Sequence, residues 1–130
     1  MKALVVDDSM VMRKVLTGAL SRVDITDVDH AEDGEVAIAA CEATDYDLIL
    51  MDNSMPNLTG IEAIQTIRSL GYSMPIIMVT TLAGKQEILE AIKAGAQNYV
   101  VKPFEPETLI EKIKATLGMM TKPDPININR

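Results

Sequence analysis

Asp7, Asp8, Asp52, Thr80 and Lys102 each stand at the end of a short apolar run, and together they have the chemistry of a phosphoryl-transfer site. Asp7 and Asp8 follow Ala3–Val6, Asp52 follows Leu48–Met51, Thr80 follows Ile76–Val79, and Lys102 follows Asn98–Val101. Three carboxylates gathered in one place repel one another, and a divalent cation removes that cost. Hard oxygen ligands around a partly hydrated ion favour Mg2+ over Zn2+. Such an ion draws in an anion, and a phosphoryl group suits it. Lys102 offers a point charge and Thr80 a hydroxyl donor to the phosphoryl oxygens. One carboxylate can then act as nucleophile and form an aspartyl phosphate. Singly each residue says little, because an Asp at a strand end is an ordinary cap or turn former. Their joint occurrence at separate strand ends carries the reading.

That chemistry requires elements that bring distant segments to one edge. The apolar runs read as strands at Ala3–Val6, Ile25–Asp29, Asp47–Met51, Ile76–Val79 and Asn98–Val101. Ser9 is an N-cap for a helix through Ser21, with Met12, Val15, Leu16 and Ala19 on its inner face. Asp33-Gly34 opens a second helix carrying Val36, Ile38, Ala39 and Ala40. Asn53–Asn57 is loop chemistry around Pro56, and a third helix runs to about Leu70, where Gly71 stops it. A fourth helix spans about Gly84 to Ala94 and ends at Gly95. A fifth starts near Pro106 and runs to about Leu117, before Gly118. Strands that are continuous apolar runs have both faces covered, so the expected fold is an open parallel α/β sheet with its site at the carboxyl ends of the strands. Residues 1–118 form one domain. Residues 119–130, with Pro123 and Pro125, read as a flexible or loosely docked tail.

Composition removes several function classes. The chain has 130 residues and a formal net charge of -7, so phosphate backbones repel it and nucleic-acid binding is not expected. Aromatic residues make up 3% with no Trp, which leaves no stacking platform for single strands. Cys41 is the one cysteine, so no intrachain disulfide forms, and it reads as an inert helix-packed thiol. Asp7-Asp8 breaks the first apolar run too early for a signal peptide, and no run approaches the ~18 apolar residues of a membrane span. A soluble cytoplasmic protein is expected. His30 has no His or Cys neighbour, which leaves it a structural or solvated role and argues against Ser-His acyl transfer. Gly18, Gly34 and Gly60 make no phosphate-binding loop. The nine methionines are assigned to core faces and imply no cofactor.

Read together, Val5-Val6-Asp7-Asp8-Ser9 with Arg13 four residues on, Met51-Asp52 followed by Met55-Pro56 and Gly60, Val79-Thr80, and Val101-Lys102-Pro103-Phe104 resemble the receiver domain of bacterial two-component response regulators. The similarity runs from about Lys2 to Gly118. Met12-Arg13, Ala31–Gly34, Met55–Asn57 and Gly95–Phe104 bring it nearest to single-domain chemotaxis regulators of the CheY type. The resemblance implies a flavodoxin-like (βα)5 fold with strand order 2-1-3-4-5 and helices on both faces. It implies Asp52 as phosphoacceptor and Mg2+ bound by Asp8, Asp52 and the Ser54 carbonyl, with Asp7 acting through water. Lys102 and Thr80 would contact the phosphoryl group, aided by the amides of Asn53, Ser54 and Thr81. A cis Lys102-Pro103 bond is implied too. Tyr99 matches the aromatic switch position, and its ring is expected to turn inward from an exposed place as Thr80 moves toward the phosphoryl group.

The implied function is a signalling switch and not a metabolic enzyme, although slow hydrolysis of its own acyl phosphate goes with it. A sensor histidine kinase would supply the phosphoryl group. The face made by the fourth helix, fifth strand and fifth helix, roughly Lys85–Lys93 and Tyr99–Lys112, would then bind a downstream protein, with the flagellar motor switch as the family's best-known target. A monomer is expected. Departures from the family pattern at Ser54, Thr81 and Leu82 flank the pocket and bear on the lifetime of the phosphoryl group and on the fit of a phosphatase. A phosphorelay intermediate or phosphate sink would carry the same residues. A Mg2+-dependent phosphohydrolase would normally have a second Asp two residues after its nucleophile, where this chain has Ser54. Flavin binding on the same fold would meet repulsion between the acidic strand ends and the flavin phosphate.

Overall fold

The computed structural model of the chain describes residues 1–119. Strands β1 (Lys2–Val6), β2 (Asp27–Ala31), β3 (Leu48–Met51), β4 (Ile76–Thr80) and β5 (Asn98–Val101) alternate with helices α1 (Met10–Ser21), α2 (Gly34–Ala43), α3 (Gly60–Ser69), α4 (Lys85–Ala94) and α5 (Pro106–Leu117). The strands form one parallel sheet in the order β2-β1-β3-β4-β5. Side chains alternate across it, because successive residues of a strand point to opposite faces. Leu4, Val6, Ile49, Met51, Ile76 and Met78 pack against α2, α3 and α4. Ala3, Val5, Leu48, Leu50, Ile77 and Val79 pack against α1 and α5. Both faces of the inner strands are therefore dry, which is why their sequences are unbroken apolar runs.

The edge strand departs from expectation. Strand β2 lies at Asp27–Ala31 and not at Ile25–Asp29. Ile25 is 1% exposed, but its N–H donates to the Leu20 carbonyl at 3.0 Å, so it plugs the turn after α1. An edge strand is half in water, and Asp27, Asp29 and His30 are tolerated there. The inner face of one helix also differs at one position. The buried residues of α1 are Leu16, Ala19 and Leu20, and Val15 is exposed. Those of α2 are Gly34, Ala37 and Cys41, and Val36 is exposed. Met1 and Met10 are exposed as well, so the methionines are not all core residues. Met119 packs against the α1–α5 side of the core, and the rest of the expected tail lies outside the described residues.

Cys41 is 2% exposed, and burial pushes its thiol up to about 11. The thiolate is the reactive form, so Cys41 is expected to react with a thiol reagent at pH 8 only through unfolding. Labelling followed across a urea titration checks this. Reaction that keeps pace with a free thiol before the unfolding transition would contradict it.

Candidate phosphoryl-transfer site

Parallel pairing sets the site. Val6 pairs with Met51, Met51 with Met78, and Thr80 with Val101. The residue after each strand therefore emerges at the same sheet edge. The Asp52 N–H donates to the Val6 carbonyl at 2.9 Å, and the Lys102 N–H donates to the Thr80 carbonyl at 2.8 Å. Chain segments far apart in sequence become adjacent in space.

One carboxylate oxygen from each of Asp7, Asp8 and Asp52 lies within 4.8 Å of the others. Asp7 is 1% exposed, Asp52 is 6% exposed, and Asp8 is open to solvent. Asp7 is fully engaged: its Oδ1 accepts from the Ser9 N–H at 2.9 Å, and its Oδ2 accepts from Lys102 Nζ at 2.8 Å. The same ammonium is 3.6 Å from Asp52 Oδ1. Burial pushes the Asp52 carboxyl above its ordinary range, and the Asp7 charge adds to that. Lys102 and the amides of Asn53 and Ser54 pull it back. The donor set of this cluster is carboxylate oxygen without thiolate or imidazole, with one member still exposed. That suits a hard, partly hydrated cation such as Mg2+, which Asp7, Asp8 and Asp52 could hold between them.

The other expected residues fall around this cluster. Thr80 is fully buried as the last residue of β4, one position earlier relative to the strand end than expected. Its Oγ1 accepts from the Leu82 N–H at 3.4 Å, which leaves the hydroxyl proton to donate elsewhere. Ser54, Thr81 and Leu82 are exposed at the rim. Lys102-Pro103 is cis. Tyr99 is half-buried: its ring packs beside the α2–α4 side of the core, and its hydroxyl is buried with no partner among the described residues. Burial, and then the Glu87 charge, raise its phenol above the usual range.

Arg13 and the side chain of Asn53 were not assigned roles by sequence reasoning. Arg13 Nη1 donates to the Asp7 carbonyl at 2.7 Å and ties down the β1–α1 turn. Asn53 Oδ1 accepts from the Ile61 N–H at 2.9 Å and links the loop after Asp52 to α3. Arg13 stands in the sequence only as part of the family motif, and Asn53 only as a polar residue next to an Asp.

Residues 3–114 match the family model for the response regulator receiver domain. The chain is 43% identical over 121 residues to chemotaxis protein CheY1 of Helicobacter pylori, covering 91% of this chain and 98% of that one. In structure it is similar to Vibrio cholerae chemotaxis protein CheY4, with TM-score 0.82 and 34% identity over 89% of this chain and 98% of that one. It is also similar to a chain of the CheX–CheY–BeF3–Mg2+ complex from Borrelia burgdorferi, with TM-score 0.84 and 26% identity over 88% of this chain and 87% of that one.

Proposed function

The chain belongs to the response regulator receiver family, and on that premise we propose that its signalling reaction is Mg2+-dependent transfer of a phosphoryl group from a sensor histidine kinase to Asp52. It is a phosphorylation-activated switch of a two-component system and not a metabolic enzyme. The observation that supports this site most is the Lys102 ammonium lying against two buried carboxylates, 2.8 Å from Asp7 and 3.6 Å from Asp52. A cation so placed is poised for an incoming anion.

In the reaction an Asp52 oxygen attacks phosphorus, the bond to the donor's imidazole nitrogen breaks, and an aspartyl phosphate remains. Lys102 shares its charge with a phosphoryl oxygen while keeping hold of Asp7. Thr80 donates its hydroxyl proton to another phosphoryl oxygen, and the loop amides are the remaining donors. Mg2+ held by Asp8 and Asp52 would supply Lewis-acid neutralisation of phosphoryl charge. Slow self-hydrolysis follows from leaving the site open to water, and Ser54, Thr81 and Leu82 line the approach. Similarity to CheY1 along nearly the whole of both chains supports a role in chemotaxis. The output surface is the α4–β5–α5 face, and the downstream partner is a protein, with the flagellar motor switch as the leading candidate. No described helix is long and apolar enough to cross a membrane.

Mg2+ titration tests the metal reading. Binding to the folded state alone stabilises by mass action, by about 1.4 kcal/mol at ten times the dissociation constant. For a domain of this size that is a melting shift of roughly 4–7 °C. The expected result is a saturable rise over millimolar Mg2+ that Asp8→Asn weakens. A flat response removes the metal from the proposal.

A further inference from the structure

The loop that follows Asp52 is tied at more points than a turn requires, and most of the ties meet at Asn53. Its backbone N–H donates to Asp52 Oδ1 at 2.8 Å. Its backbone carbonyl accepts from Met55 at 3.1 Å and Gly60 at 3.0 Å. Its side-chain Oδ1 accepts from the Ile61 N–H at 2.9 Å. Helix α3 does not depend on this last bond for its cap. Thr59 Oγ1 accepts from the Glu62 N–H, and the Glu62 carboxylate accepts from the Thr59 N–H, which makes a complete capping box. The Asn53 bond is an extra clamp reaching the helix from eight residues upstream. Gly60 makes the clamp close: a Cβ there would strike the Asp52 carbonyl oxygen and lie 2.9 Å from the Asn53 Cα. The first turn of α3 therefore sits directly on the backbone of the phosphoacceptor.

We propose that Asn53 is a positioning residue for the phosphoacceptor, its side-chain carbonyl fixing the loop so that its own backbone amide orients the Asp52 carboxylate. This rests on the reading of Asp52 as a Mg2+ ligand. Metal ligands hold their geometry through the hydrogen bonds made to them, and loss of such a partner typically weakens metal binding about 10- to 100-fold. With the side chain truncated, the Ile61 N–H turns to water, and the Asn53 peptide gains freedom to rotate. The Asp52 oxygen that accepts from that peptide then loses its fixed direction, and the neighbouring Ser54 backbone moves with it.

The experiment is calorimetric titration of Mg2+ into the whole chain and its variants, with melting curves alongside. Asn53→Ala is expected to weaken Mg2+ binding about tenfold. Thr59→Ala, which removes a cap on the same helix turn away from Asp52, is expected to lower the melting temperature comparably and leave Mg2+ affinity unchanged. Asn53→Asp keeps an acceptor for Ile61 and is expected to bind Mg2+ at least as tightly as the native chain. Should Asn53→Ala not fold, Asn53→Gln carries the same expectation, since it keeps polarity but displaces the acceptor by one methylene. Native-like Mg2+ affinity in the folded Asn53→Ala or Asn53→Gln protein overturns the proposal and leaves Asn53 a helix cap. Absence of Mg2+ binding by the native chain overturns the metal reading itself, and this inference with it.

Discussion

Asp52→Asn takes up no phosphoryl label from acetyl phosphate or a partner kinase under conditions where the native chain is labelled in Mg2+. An amide oxygen is a poor nucleophile, and the substitution also withdraws a charged metal ligand. The loss should be complete, because the other carboxylates are placed differently. Asp7 has both oxygens engaged, and Asp8 is exposed and makes no ion pair with Lys102 among the described residues. Label that persists at another residue would move the nucleophile elsewhere. The same variant has a second, opposite signature in stability. Burial, reinforced by the Asp7 charge, raises the Asp52 carboxyl in the folded chain. A carboxyl raised on folding favours the folded state while protonated. That contribution is complete below pH ~4, the ordinary carboxylate range, and is lost as pH rises through the folded value. In EDTA at pH 7 the native chain thus holds an ionised carboxylate at a cost that a neutral amide in its place would not bear. Asp52→Asn should therefore melt higher than native in EDTA at neutral pH, with the gain shrinking toward pH ~4. A gain that grew on acidification would mean that the site stabilises the Asp52 charge even without metal.

Thr80→Ala should accept phosphoryl on Asp52 yet lose most of the gain in partner affinity that phosphorylation brings. Thr80 is buried at the end of β4, and its Oγ1 accepts the Leu82 N–H at 3.4 Å. When the Thr80 side chain moves toward a phosphoryl oxygen, its Oγ1 draws away from the Leu82 N–H, and with that long bond given up the segment Thr81–Gly84 is free to rearrange. Gly84 is the N-cap of α4 and makes no side-chain cap, so the helix start follows the loop with little resistance. Tyr99, whose buried hydroxyl has no partner among the described residues, feels the Glu87 charge from the first turn of α4 and gains by any shift that brings it an acceptor. Couplings of this kind are about 1–3 kcal/mol, which is roughly 5- to 150-fold in affinity. Hydrogen exchange with and without beryllofluoride, a phosphoryl mimic, reads the change without knowing the partner. The native chain should change protection at Leu82 and through α4, and Thr80→Ala should change little beyond the Asp52 loop. Identical exchange changes in the two proteins would place the coupling outside Thr80.

Local chemistry determined much of this protein from sequence. Apolar runs, Ser9 and Asp33 at helix starts, and Gly71, Gly95 and Gly118 at helix ends are short-range signals, and they placed most elements to within a residue or two. The acids and the lysine at strand ends were likewise legible, because a parallel sheet puts all such ends on one edge. The strand order was not legible from pattern, since nothing in β1 states that it pairs with both β2 and β3; family resemblance supplied it. The misplaced β2 has the same origin: Ile25 is apolar because it plugs a turn, and the polar strand beside it is permitted only by its place at the sheet edge. Tertiary structure alone decided that Lys102 bonds Asp7 across 95 residues, that the Tyr99 hydroxyl is enclosed without a partner, and that Asn53 clamps α3. Each depends on where packing leaves a side chain, and packing brings together residues whose spacing in the chain carries no trace of the contact.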